Sequence, residues 1–377
     1  MTRIVIAPDS FKGSIGAAAA AAALADGWRS ARPGDDVLLR PMADGGEGTL
    51  DAFAAAVPTA RRMPVTVSGP HGRPVAASWL LIRDDEGDTG VVELASTSGI
   101  ELLGAAREPW DAGTRGFGEA IGAALDHGVT RLVLGIGSSA STDGGAGVLT
   151  ALGGRISDGA GAPIAAGLRG LATAASVDLS ALRPLPSRGV SVLSDVTNPL
   201  LGDRGAAAVF GPQKGLDAAD IAPAEAALAR FAALVAADPT TRGRGAPDPA
   251  APASGAAGGT AFGLRAWGAH LAPGAAEVAA LIGLADAVTG AALVVTGEGS
   301  FDGQSAAGKV PTFVAQTARA AGVPVSLVAG RIARGVETGE FGASVSLVEL
   351  AGSAAESMAD PARWLRAAGA ALARAAA

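Results

Sequence analysis

The stretch RIVIAPDSFKGSIGAAAAAAALADGWRSAR (residues 3–32) decides the fold class. A short β-branched run, 3–7, is ended by Pro8 and Asp9. A loop with Gly follows, and an Ala-rich segment then runs from 17 to 32. An apolar run without alternation suits a strand covered on both faces, and strand, Gly loop and helix in succession form the unit of an α/β protein. Outward from here the unit recurs. Strand-like runs lie at 3–7, 37–41, 63–67, 77–82, 90–94, 131–135, 190–194, 292–296, 325–329 and 345–350. Helical segments lie at 17–32, 45–56, 113–127, 145–152, 220–237, 275–281, 312–321 and 361–376. Between 63 and 94, three runs joined by SGPHGRP and RDDEGD turns read as an antiparallel meander. The expectation is a doubly wound, Rossmann-like domain plus a second domain with a mixed sheet. Residues 242–259, RGRGAPDPAAPASGAAGG, read as a linker by composition.

Composition narrows the function. A length of 377 residues suggests two domains, at about 150 residues per domain. Without Cys there is no disulfide, no thiolate metal site and no thiol nucleophile. His71, His127 and His270 lack ligand spacing. A net charge of −7 argues against a general nucleic-acid binder. The N-terminus has no secretory h-region, and the weakly polar run 13–25 is short of the roughly 20 residues of a membrane span. A soluble cytoplasmic protein without nucleic-acid or membrane partners is expected. Of 29 basic residues only three are Lys, and Lys12, Lys214 and Lys309 each sit beside Gly. A solvated Lys belongs on helix faces, so three in Gly loops point to anion contacts. Asn198 is the single Asn.

Five loops share one design, a strand end followed by Gly or Pro with a carboxylate: APDSFKGS (7–14), MADGGEGT (42–49), GIGSSASTDGGAG (135–147), SDVTNPL (194–200) and TGEGSFDGQSAAGK (296–309). Open α/β sheets bind ligands beyond the carboxyl ends of their strands, and Gly lets backbone N–H groups cradle phosphate. The last loop nearly matches a P-loop, from Gly303 to Gly308 and Lys309, but Val310 replaces the hydroxyl residue that would ligate Mg2+. Gly135, Gly137 and Ala140 resemble a dinucleotide fingerprint, with Asp143 interposed before the helix. Asp9, Asp44, Glu47, Asp143, Asp195, Glu298 and Asp302 all fall in these loops. Clustered carboxylates repel unless they bind metal or share protons, and oxygen ligands point to Mg2+. Mg2+, Gly loops and a few Lys are the inventory of phosphoryl transfer. Asp220, Asp360 and the run 84–86 are better read as caps, turns or solvated charges.

APDSFKGS, MADGGEGT, DVTNPLLGDRGAAAVFGPQKG (195–215) and VVTGEGSFDGQSAAGK (294–309) resemble the type I glycerate kinase family of bacteria. VELASTSGIELL (92–103), GTRGFGEAI (113–121) and GAAGGTAFGL (255–264) follow the same pattern in the same order. The resemblance runs from Ile4 to about Gly330 and faintly beyond. It implies ATP-dependent phosphorylation of D-glycerate with Mg2+, usually giving 2-phosphoglycerate. It also implies two α/β domains with a cleft between them: a discontinuous Rossmann-like domain, placed at 1–60 and 285–377, and an inserted mixed α/β domain at 61–284. The chain departs from the family pattern at Ser138 (Gly), Thr142 (Asn) and Ser300 (Arg), and the last change removes a fixed cation near the carboxylate loop.

On this reading a glycerate hydroxyl attacks the γ-phosphate of ATP. Asp195 is the expected general base, because SDVTNP sets a carboxylate just past a strand end, and Lys12 and Asp44 complete the catalytic set. Asp9, Ser10, Lys214, Lys309, Asn198, Gly45, Gly46, Gly297, Gly299 and Gly308 are expected to bind substrate or phosphate, and Glu47, Glu298 and Asp302 to hold metal. The partners are small molecules, D-glycerate and ATP, with oligomerisation open. Two alternatives remain: an NAD(P)-dependent dehydrogenase of a small hydroxy acid built on the Gly135 loop, and a sugar-acid-binding regulator weakened at Ser300.

Overall fold

A computed structural model describes residues 2–303 and 310–376. Thirteen strands are described: β1 (Arg3–Pro8), β2 (Asp36–Leu39), β3 (Arg61–Ser68), β4 (Pro74–Asp84), β5 (Gly87–Glu93), β6 (Arg131–Gly135), β7 (Arg155–Asp158), β8 (Ala174–Asp178), β9 (Val190–Leu193), β10 (His270–Ala272), β11 (Leu293–Phe301), β12 (Val325–Ile332) and β13 (Ala343–Ser346). Contacts group the residues into two compact units, Met1–Asp44 with Gly48–Pro58 and Ala275–Ala377, and Gly45–Glu47 with Thr59–Gly274. The last changeover lies between Gly274 and Ala275.

The first unit holds a five-stranded parallel sheet in the order β13-β12-β11-β1-β2. Its five strands, numbered by themselves, run 2-1-3-4-5, a doubly wound order whose direction reverses between β1 and β11. Ile4 to Pro8 are buried, as an apolar run in a covered strand should be. Ile4, Ile6, Leu24, Trp28, Val295, Val328, Leu365 and Leu372 share one core. The Ala-rich segment forms the helix Ala17–Ala31, which packs on the C-terminal helix Pro361–Ala375. Asp360 caps the latter, accepting from the Arg363 N–H at 3.0 Å.

The second unit holds a six-stranded sheet in the order β10-β9-β6-β5-β4-β3 and a β7–β8 hairpin. β3, β4 and β5 pair antiparallel, as the meander reading expects, and β5, β6, β9 and β10 pair parallel. Phe117, Ile121, Leu134, Val148, Phe231, Phe262 and Trp267 anchor its core. The helix Ala218–Ala237 opens on a capping box between Asp217 and Asp220, which accounts for Asp220. Among the described residues, no helix is long and apolar enough to cross a membrane.

Four local expectations are corrected. The last strand stops at Ser346, whose hydroxyl accepts from the Glu349 N–H at 3.4 Å and starts the helix Leu347–Ala351. The helix expected from 45 begins at Thr49, because Gly48 is left-handed at φ 83°. β11 runs on to Phe301 through residues expected to form a loop, its partners extending to Ile332. The expected linker is folded into the second unit: Ala253, Ser254 and Ala256 are buried, and the Gly255 N–H donates to Asn198 O at 3.0 Å. Small residues here let backbone meet backbone. A Cβ on Gly258 would stand 2.1 Å from Ser141 O.

The two helices of the first unit meet in the same way. A Cβ on Gly27 would lie 2.0 Å from Arg366 O. Helix propensity alone favours Gly27→Ala by about 1 kcal/mol. Overpacking against a carbonyl costs about 1–3 kcal/mol and should reverse the sign. Gly27→Ala is expected to lower the urea midpoint, and a raised midpoint would show that the helices separate at no cost.

Candidate active site

The first unit gathers charge where its sheet order reverses. The Asp9 N–H donates to Gly297 O at 2.8 Å, continuing the β1–β11 ladder one residue past β1. One step further in register, Asp9 comes level with Glu298. Both are buried, Asp9 at 8% exposure and Glu298 at 7%. Burial, then the charge of Asp44, and more weakly that of Glu298, push the Asp9 carboxyl up to about 7, against the Ser10 N–H that donates to it and the Lys12 ammonium. Lys12 Nζ stands 3.3 Å from Asp44 Oδ2, and the pair holds the ammonium above its usual range. Asp9, Ser10, Lys12, Asp44, Gly297, Glu298 and Gly299 thus come together at the carboxyl ends of β1 and β11, where open sheets bind their ligands. A backbone N–H, an ammonium and three carboxylates can bind an anion through the first two and a cation or a proton through the last. Asp302 follows β11 directly. Gly308 and Lys309 lie outside the described residues.

In the second unit, Gly45 sits at the carboxyl ends of β6 and β9. The Gly137 N–H donates to Gly45 O at 2.9 Å, and Gly46 belongs to the same unit beside the exposed Glu47. Asp195 is exposed two residues past β9, its Oδ1 accepting from the Gly274 N–H at 2.9 Å. Asn198 donates through Nδ2 to Arg204 O at 2.8 Å.

Lys214, expected to bind substrate or phosphate, lies inside the second unit. It is 3% exposed at the end of the helix Ala206–Lys214, and it donates to Ser139 Oγ at 2.7 Å and to Ser141 O. Burial lowers its pKa to about 7, with Asp143 opposing. Asp143, read with the acidic loops, is an internal anchor: it accepts from Thr114 N–H and Oγ1–H at 2.9 and 2.7 Å, and from the Gly145 and Gly147 N–H groups. Ser138 in this loop is left-handed at φ 60°, and no helix begins before Ala146, so the dinucleotide geometry is not formed. Sequence reasoning missed Thr114 and the Lys214–Ser139 contact. Their only signal was the G-T-R and Q-K-G context, which does not reveal a partner.

Two pH dependences follow. Lys214 titrates near 7 when folded and near 10.4 when unfolded, so between these values the unfolded chain holds more protons and stability rises with pH. Below about pH 7 both forms are charged and the dependence vanishes. Lys214→Met should flatten this rise, read as urea midpoints at pH 7 and 9.5; an identical slope in the variant would place the titration elsewhere. Asp9 has the opposite sign. Between about pH 4 and 7 the folded chain holds the extra proton, so stability falls as pH rises. Asp9→Asn keeps an acceptor for the Ser10 N–H and should gain more in midpoint over wild type at pH 8 than at pH 4.

The family model described as "Glycerate kinase family" matches residues 4–377. The chain is 42% identical over 335 residues to the glycerate kinase of Bacillus subtilis (strain 168), covering 88% of this chain and 86% of the relative. It is 41% identical to the glycerate 2-kinase of Escherichia coli (strain K12), covering 88% and 85%. A crystal structure of the Salmonella typhimurium LT2 protein assigned as glycerate kinase 2 superposes with a TM-score of 0.82 at 37% identity, covering 99% of this chain and 98% of the other. With a family model spanning nearly its whole length and relatives at this identity, the chain belongs to the glycerate kinase family and is an enzyme of that kind.

Proposed function

We propose that this chain transfers the γ-phosphoryl group of ATP to D-glycerate, giving 2-phosphoglycerate. The observation that carries the reading is the meeting of Asp9, Lys12, Asp44 and Glu298 at the carboxyl ends of β1 and β11. The names of the Bacillus subtilis and Escherichia coli relatives support the acceptor, and the latter supports the 2-position. A glycerate hydroxyl oxygen bonds to the γ-phosphorus as the bond from that phosphorus to the bridging oxygen breaks. ADP leaves, and the hydroxyl proton passes to a carboxylate. Such transfers need positioning and charge stabilisation more than covalent help. Lys12 and the Gly-rich backbone of this edge bind anionic oxygen, and Lys309, at a helix start in sequence, is assigned the same part.

The donor set fits a magnesium ion that arrives with nucleotide. Mg2+ keeps most of its waters and takes one or two carboxylates beside substrate phosphates. Among the described residues, no three His, Cys, Asp or Glu converge as a cage, and Asp44 and Glu298 are near enough to raise the Asp9 pKa. Asp44 and Glu298 would hold the ion, with Glu47 and Asp302 as further candidates from sequence. An ion held there would supply positive charge to offset that of the nucleotide phosphates. We place the reaction in the cytoplasm.

Two carboxylates qualify as proton acceptor. Asp195, held by the Gly274 N–H, is the first assignment, whereas Asp9 has an affinity near 7, suited to a base at neutral pH. Wild-type protein should form ADP only with D-glycerate and Mg2+ together, and 31P NMR should show the phosphate on the 2-oxygen. No ADP above background would end the kinase reading. The base should lose about 10²–10⁴ in kcat as its Asn variant. If Asp9→Asn shows that loss, together with loss of the pH–rate limb near 7, and Asp195→Asn does not, the base is Asp9.

A further inference from the structure

The parallel ladder of β11 and β12 sets Glu298 level with Ala329 and Ser300 level with Arg331. Level residues of a parallel pair project from one face, as do residues two apart on a strand. Glu298, Ser300 and Arg331 therefore share one face, and the charge of Glu298 reaches Asp9. Arg331 Nη2 lies 3.3 Å from Ser300 Oγ, and the residue is exposed. Among the described residues it forms no ion pair, although carboxylates crowd this edge. A guanidinium carries five N–H donors in a planar fork, of which a hydroxyl engages one, and the fork matches carboxylate and phosphate oxygens. Ser300 stands where the sequence pattern expects a cation. Here the cation comes from the neighbouring strand, across one rung of the ladder.

We propose that Arg331 is a substrate-binding residue, its guanidinium, steadied by the Ser300 hydroxyl, receiving an anionic oxygen group at the carboxyl end of β12. The group is the carboxylate of the acceptor or a phosphate of the nucleotide. This rests on the kinase reading above, and it concerns a residue that neither the sequence motifs nor the family match singles out. An exposed guanidinium that only decorates a strand end would be replaceable without effect on either substrate. A binding residue would not.

The test compares wild type, Arg331→Ser and the exchange variant Ser300→Arg/Arg331→Ser in steady-state kinetics and thermal shift. Arg331→Ser should raise one KM by about tenfold or more, the loss expected for one charge-assisted contact, with a smaller change in kcat. A rise confined to D-glycerate assigns the carboxylate, and a rise confined to ATP assigns a phosphate. The exchange variant returns a cation to the same rung and should recover most of the loss. Arg331→Gln keeps length and donors without charge and serves if Arg331→Ser folds poorly. Both KM values within twofold of wild type, or an exchange variant that recovers nothing, would overturn the proposal. Wild-type turnover tests the kinase reading separately. Should wild type form no ADP, Arg331 is read by thermal shift with ATP and with D-glycerate: loss of a wild-type shift in Arg331→Ser supports the proposal, and an unchanged or absent shift removes it.

Discussion

The parallel pairing of β1 with β11 is the constraint on which the first unit depends. It joins residues 4–8 to residues 293–297, nearly the full chain apart in sequence. Loop closure over such a span costs only slowly more than over a short one, so a large excursion between the two strands is thermodynamically tolerable. What the pairing requires is that both strands be apolar on both faces, and Ile4, Val5, Ile6, Val294 and Val295 meet that requirement at 2% exposure or less. With β2 on the far side of β1, the sheet order must reverse there. The reversal opens the one edge of a doubly wound sheet where neighbouring connections diverge and a ligand can reach backbone groups.

The electrostatics follow from that topology. The charges felt by Asp9 are two carboxylates and one ammonium, in a setting where burial already disfavours the anion. A carboxylate so placed is stabilised by a proton or by a cation. Lys12 pairs with Asp44 at the solvent side, where such a pair is worth at most about 1 kcal/mol. Asp44 therefore keeps an appreciable influence on Asp9. A salt bridge that compensated the cluster fully would have left nothing for a ligand to offset.

Legibility varied with the physical signal. Short β-branched apolar runs bounded by Gly or Pro announced most strands, because burial on both faces removes the polar alternation, and the Gly-rich acidic loops announced their sheet edges. Glu298 stands out in sequence as a candidate, yet its setting does not: Gly, Glu and Gly read as a loop, while the ladder to β12 continues through them because β12 offers partners as far as Ile332. The segment 242–259 read as a linker for the same reason, since Ala, Gly and Pro mark both flexible chain and tightly apposed backbone. Lys214 and Asp143 were identified as unusual, but their burial depends on Ser139 and Thr114, which are distant in sequence and ordinary in type. Arg331 carried no signal at all, because one Arg among 26 is informative only when register shows what stands beside it.

Asp9 and Lys214 lie in different units, and both are buried ionisable groups held near 7 from opposite sides. The cost of the Asp9 anion grows as pH rises toward 7, and the cost of the Lys214 cation is relieved only above 7. Both penalties are therefore close to full at pH 7. Stability selected alone would exchange both groups for neutral ones, as most such replacements of buried charge are tolerated when shape is kept. On the proposed function, the cost of the Asp9 anion at the reversal point of the sheet is offset by a cation or proton met there. Lys214 donates to Ser139 and Ser141. These contacts tie the loop from Gly137 to Gly147 to the helix that ends at Lys214, a geometric task that a neutral amine performs as well as a charged one.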